Sequence, residues 1–139
     1  MTETLLIKKE LQMGFKYNKD QKKRDNHLIF TGWGSSDVRY FSKLNVKELQ
    51  YLLDNGFADP DECQNFAPSI GEIYEFMKAY PEFTAHGYAV SLEREDYRIT
   101  LEGVQAIPKS TEALYDFVKL FRDADEFEFG ANGCHCWYD

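Results

Sequence analysis

Leu11, Met13, Phe15 and Tyr17 alternate with Gln12, Gly14 and Lys16, the two-residue period of a half-buried strand. Residues 4–7 begin the same strand or a separate one. Beyond a charged loop, residues 27–33 (HLIFTGW) read as a second strand antiparallel to the first, and residues 37–42 as a weaker third. A helical period then takes over. Asn45 opens a helix, Glu48 stands three positions on to complete a capping box, and Gly56 closes it; Val46, Leu49, Leu52 and Leu53 form the apolar stripe. Asp59-Pro60-Asp61-Glu62 sets a cap, a proline and an acidic first turn in the order that starts a short helix. Across 68–80, Ile73, Phe76, Met77 and Tyr80 recur at i, i+3, i+4 and i+7, and Pro81 ends the run.

Alternation returns over 83–106, which predicts a hairpin. Tyr88, Val90 and Leu92 face one way, answered across the turn 93–96 by Tyr97, Ile99 and Leu101. Pairing Leu92 with Tyr97 sets Val90 against Ile99, Tyr88 against Leu101 and His86 against Gly103. Ser110 caps a third helix with the stripe Leu114, Phe117, Val118 and Phe121. The chain closes on EFEFGA and CHCWYD around Asn132-Gly133, a strong signal for a two-residue hairpin turn. Strands and helices come in local groups without β-α-β alternation. The expected fold is α+β, a mainly antiparallel sheet of about six to eight strands with three main helices packed on one face. Residues 1–139 fit a single domain.

Composition sharpens this picture. Aromatic residues make up 16% of the chain, which supplies a core that a disordered sequence would lack. No apolar run approaches the roughly 20 residues that span a bilayer. MTETLLIKKELQM has no basic start followed by a long apolar stretch, so a secretory signal is not expected. The net charge is −8, unevenly spread: residues 1–24 carry seven basic and three acidic groups, net +4, which leaves −12 for the rest. That balance excludes a general nucleic-acid binder, and its acidic surface favours a basic protein partner if it favours any. Three cysteines are too few, and odd in number, for a disulfide framework, so reduced thiols in the cytoplasm are expected. Residues 18–26 are polar and charged but too short to separate two domains.

Cys134-His135-Cys136 invites a metal reading. On a strand, however, the two thiols share one face and the imidazole takes the other, so the three cannot chelate one ion. Pairing across Asn132-Gly133 sets Ala131 against Cys134, Phe129 against Cys136 and Phe127 against Tyr138, which makes the thiols structural and apolar. No metal site is expected there. Asp54, Asp59, Asp61 and Glu62 lack the ligand order of an EF-hand loop, and helix-end capping accounts for them. Gly32-Trp33-Gly34-Ser35-Ser36-Asp37 is neither a P-loop nor a nucleophile elbow. Residues 16–24 read as a solvated basic tip. His135 lies near Glu128 and Asp139 in the predicted register, and His27 has no distinguishing context.

No nucleophile with its base, no carboxylate pair and no cofactor fingerprint is set out by spacing, which points away from an enzyme and from a cofactor. The leading expectation is a small acidic cytoplasmic protein of bacterial type, a non-catalytic protein-binding module like an inhibitor or immunity protein. Trp33, Arg39 and Tyr40 are the residue types that would anchor its partner. A second reading is an enzyme or small-ligand carrier whose site is assembled in three dimensions around His86. Glu102, Tyr88 and Trp33 would enter the same pocket, with His86 and Glu102 as catalytic candidates. A third is a structural or oligomerising subunit. Oligomeric state and pathway are not legible in the residues.

Overall fold

The computed structural model describes residues 14–139. A short helix α1 (Gln21–Asp25) precedes the hairpin β1 (Ile29–Gly34) and β2 (Val38–Leu44). Helices α2 (Val46–Asp54) and α3 (Ile70–Ala79) follow, then β3 (Thr84–Val90), β4 (Arg98–Ala106), α4 (Thr111–Phe121), β5 (Glu126–Glu128) and β6 (Cys134–Trp137). The strands form one open sheet in the order β1-β2-β3-β4-β6-β5, each neighbouring pair antiparallel. β6 slots between β4 and β5, so those two run parallel and α4 makes the crossover between them. The α+β class and the antiparallel sheet agree with the sequence pattern. Among the described residues there are four helices where three main ones are expected, the short α1 being the addition.

Local chemistry explains the helix limits. Asn45 accepts from the Glu48 amide at 2.9 Å, but the Glu48 carboxylate does not return to the cap as a capping box requires. It is drawn instead to His27 Nδ1 at 2.6 Å. Gly56, at φ +76°, ends α2: its amide donates to the Leu53 carbonyl and the Phe57 amide to Leu52, a Schellman closure. The full capping box belongs to α3, where Ser69 and Glu72 satisfy each other's amides. Ser110 caps α4 as expected.

Several expectations are corrected. Residues 59–62 form turns and no helix, because the Asp59 side chain accepts from the Asp61 amide two residues on and Glu62 turns to Arg98 and Thr100. Of the proposed first strand at 11–17, residues 11–13 lie outside the described residues, as does all of 4–7; residues 14–17 are not in a strand. Phe15 and Tyr17 pack edge-on to each other, and Tyr17 on Tyr97. The basic tip is anchored rather than free. Arg24 is 1% exposed, lies over the Tyr97 ring and donates to the Val90 carbonyl, while Asn18 bonds the end of α2 through its own backbone and side chain.

The β3–β4 hairpin follows the predicted register only at its far end, His86 against Gly103. Nearer the turn, Gly87 pairs with Leu101, Tyr88 with Thr100 and Ala89 with Ile99, so Glu102 is an extra residue, a bulge in β4. Ala85 and Ala89 enter the core, whereas His86 and Tyr88 turn away from it. The reason is volume: Phe76, Phe83, Phe117 and Phe121 fill the core with aromatic rings at centroid distances of 4.8 to 5.6 Å, and small strand residues make room for them. The closing hairpin is shifted by two residues. Phe127 pairs with Cys136 and Glu128 with His135, joined by a five-residue loop rather than a two-residue turn. An even shift keeps every side chain on its face, which is why the thiols are buried as expected.

One core cluster takes Leu49 and Leu52 from α2, Ile70, Ile73, Phe76 and Met77 from α3, and Ala113, Phe117 and Phe121 from α4, together with inward residues of β2, β3, β4 and β6. Phe117 is its hub, stacked on Phe83 at 5.6 Å and on Phe127 at 5.3 Å. Phe117→Ala should lower the stability to urea unfolding by about 3–5 kcal/mol. A loss below about 1 kcal/mol would show that this ring is not the centre of the packing.

Candidate functional site

Three breaks in register bend the sheet. β1 gains residues against β2 between Phe30 and Gly34, where Gly32 and Gly34 sit at φ +91° and +104°. β2 gains one against β3 between Phe41 and Leu44, at Lys43 with φ 57°. β4 gains Glu102 against β3. Such insertions curl a sheet that would otherwise be about 24 Å wide if flat. The result is a cleft of about 520 Å³ lined by residues of all six strands and, among the described residues, by none from a helix. Trp33 and Thr31 come from β1, Tyr40 and Ser42 from β2, His86 from β3, Glu102 and Gln105 from β4, His135 and Trp137 from β6, and Glu126 from β5. Both tryptophans of the chain are among them.

His86 is placed by a glycine. Its ring crosses β4 above Gly103, and Nε2 lies 3.0 Å from the Cys136 carbonyl on β6. A Cβ on residue 103 would stand 2.9 Å from that nitrogen and 2.0 Å from the Cys136 oxygen, so only glycine fits. Facing a carbonyl, Nε2 carries the proton and donates, which leaves Nδ1 as an acceptor in the neutral ring. The ring also stacks on His135 at 5.5 Å. Burial is the main cause that lowers the His86 pKa to about 4, and the neighbouring His135 adds to it; the Cys136 carbonyl acts the other way.

Glu102, the bulge residue, is 6% exposed. Its carbonyl accepts from the Tyr138 amide at 2.7 Å, tying the bulge to the end of β6. Desolvation raises its carboxyl pKa, opposed by a hydrogen bond with the Trp137 side chain. The cleft therefore holds a neutral imidazole and a carboxyl group whose ionisation is disfavoured. A smaller cavity of about 350 Å³ adjoins it and shares Tyr40, Glu102 and Trp137. There the Arg98 guanidinium donates to Tyr88 Oη and to Asp96, and Arg94 holds Asp96 with two bonds of 2.8 Å.

Of the residues singled out from sequence, His86, Glu102, Trp33 and Tyr40 line the cleft, and Tyr88 lines its neighbour. Arg39 does not join them. It alternates with Tyr40 onto the other side of β2 and lies 3.6 Å above the Phe30 ring. His135 and Trp137 were missed as cleft residues, as were Ser42 and Gln105. Their shared parity is the available signal: Tyr40 with Ser42, His86 with Tyr88 and His135 with Trp137 set polar and aromatic side chains opposite the core positions of their strands. His27 also proves to have a setting, stacked on Tyr51 at 3.7 Å and bonded to Glu48. Among the described residues no group of three or more His, Cys, Asp and Glu is arranged to hold a metal ion. Cys134 and Cys136 are buried, the latter with its thiol pKa pushed up to about 12 by burial, while Cys63 is exposed. No family model matches the chain, and no match was found among curated proteins or solved structures.

Two outcomes are expected. Ellman's reagent should label one thiol, Cys63, rapidly in native protein and all three in denaturant; fast labelling of more than one natively contradicts the burial of Cys134 and Cys136. His86 should also make stability pH-dependent. The unfolded ring takes up a proton near pH 6.5 and the folded ring only near 4, so its contribution is present above pH 6.5 and lost as pH falls towards 4. Relative to His86→Gln, wild type should lose up to about 3 kcal/mol across that window. A constant difference would mean that the imidazole is solvated in the native state.

Proposed function

We propose that this protein binds a small organic molecule in the cleft on the open side of its sheet. The observation that supports this reading best is the convergence of all six strands on one cavity of ligand size, with aromatic walls and a few buried polar groups. In this reading the three longer helices cover one side of the sheet and leave the other to the ligand. Trp33, Tyr40 and Trp137 supply apolar faces, His86 Nδ1 supplies an acceptor, and Glu102 is a carboxyl that donates when protonated and accepts when ionised. Binding is the activity proposed. A histidine and a carboxyl in one cavity are also compatible with acid–base chemistry.

The protein-binding module is the second reading. Trp33 is 78% exposed at the cleft rim, and Ile29, also exposed, lies on the same strand β1. An aromatic anchor of this kind suits a protein contact as well as a ligand lid.

The two tryptophans give two indole N–H signals in a proton–nitrogen correlation spectrum, and both report on the cleft. Fragment-sized molecules that bind should shift both signals, and Ser42→Phe, which fills the cleft, should remove the effect while leaving the rest of the spectrum in place. Fragments that bind without moving either indole overturn the small-molecule reading. A partner protein that shifts Trp33 and Ile29 alone would favour the second one.

A further inference from the structure

We infer that the ligand of this cleft is an organic cation, an amine or quaternary ammonium group on a small apolar or aromatic frame. The inference rests on the proposed small-molecule reading and adds the chemical class.

Two features of the cavity select that class and a third suits its amine members. The first is its walls. Trp33, Tyr40 and Trp137 line it, and the negative quadrupole of an aromatic face attracts a cation, most strongly at tryptophan. The second is its charge. Glu102 and Glu126 line the cavity, and among the described residues no lysine or arginine does. The nearest arginines lie in the adjoining cavity, where Arg98 is held by Asp96, Glu62 and Tyr88, and Arg94 by Asp96. An anionic ligand would thus meet two carboxyl groups with no free counter-charge beside it. The third bears on amines alone: His86 has committed its N–H to the Cys136 carbonyl and has only a lone pair left to offer, which suits a protonated amine as donor, whereas a quaternary ammonium, having no N–H, is selected by the walls and the charge.

Burial adds a reason for the cation to be held. Burial leaves a carboxylate at Glu102 poorly solvated, and a positive charge within a few ångströms supplies the stabilisation that water does not. Ligand binding and ionisation of Glu102 are then linked, each favouring the other. The net charge of −8 further raises the local concentration of cations around the whole molecule.

Three probes of one shape and different charge test the inference on the full chain: benzyltrimethylammonium, benzyl alcohol and benzoate. Quenching of tryptophan emission and the two indole signals measure binding. The cation is expected to bind at least about ten-fold more tightly than the alcohol, with benzoate weakest. Glu102→Gln should cut the affinity for the cation about ten-fold and leave that for the alcohol within two-fold. Glu126→Gln, at an exposed position, should lower it by a smaller factor and guards against loss of fold in the Glu102 variant. Equal affinity for the three probes, tightest binding of benzoate, or no loss in Glu102→Gln overturns the cation assignment, while indole shifts would still uphold a ligand cleft. If none of the probes moves either indole, both the assignment and the small-molecule reading fail.

Discussion

A sheet of six strands encloses a ligand-sized space on one face only if its edges are brought towards each other, and three register breaks do this here. The insertions before Gly34, at Lys43 and at Glu102 fall on β1, β2 and β4, so the bend is distributed across the sheet. Each places an irregular residue where a regular ladder would need a paired one. The cleft, the placement of its side chains and the choice of core face along β3 all follow from that curvature and from the packing beneath it.

The same bulge that bends β4 also loads the site. Glu102 is unpaired in the ladder and turned towards the cleft, while its carbonyl is anchored by Tyr138 from the end of β6. One residue further on, Gly103 leaves the space through which His86 reaches Cys136. Two consecutive residues of β4 therefore set His86 and Glu102, two of the titratable groups of the cleft. Burial pushes them in opposite directions, the imidazole pKa down and the carboxyl pKa up, and so disfavours charge on both. A protein that only needed a stable sheet would gain nothing from a buried acid at this point, since an apolar residue would cost less.

Much of the fold was legible from the residues. Ser110, Asn45 and Gly56 mark helix limits through short-range hydrogen bonds, and such signals survive because they involve neighbours in sequence. The burial of Cys134 and Cys136 was legible through parity alone, which a two-residue slip does not change. Failures came where a distant partner outbid a local one. Glu48 left its cap for His27, and Glu62 left a nascent helix for Arg98 and Thr100. Along β3 alternation separated two faces without saying which is the core, and the phenylalanines from α3, α4 and the segment before β3 fill the volume that leaves room only for Ala85 and Ala89.

From the sequence alone came an acidic α+β domain, its helix caps, its antiparallel pairing and the membership of His86, Glu102 and Trp33 in one conceivable pocket. Those properties depend on composition, on period and on contacts a few residues long. Only the tertiary structure decided that the pocket exists, that Trp137 and His135 belong to it and Arg39 does not, and which face of β3 it uses. A bulge shifts register by one residue, and a one-residue shift moves every later side chain to the opposite face; neither is encoded in alternation, because it is set by how strands far apart in the chain pack against each other.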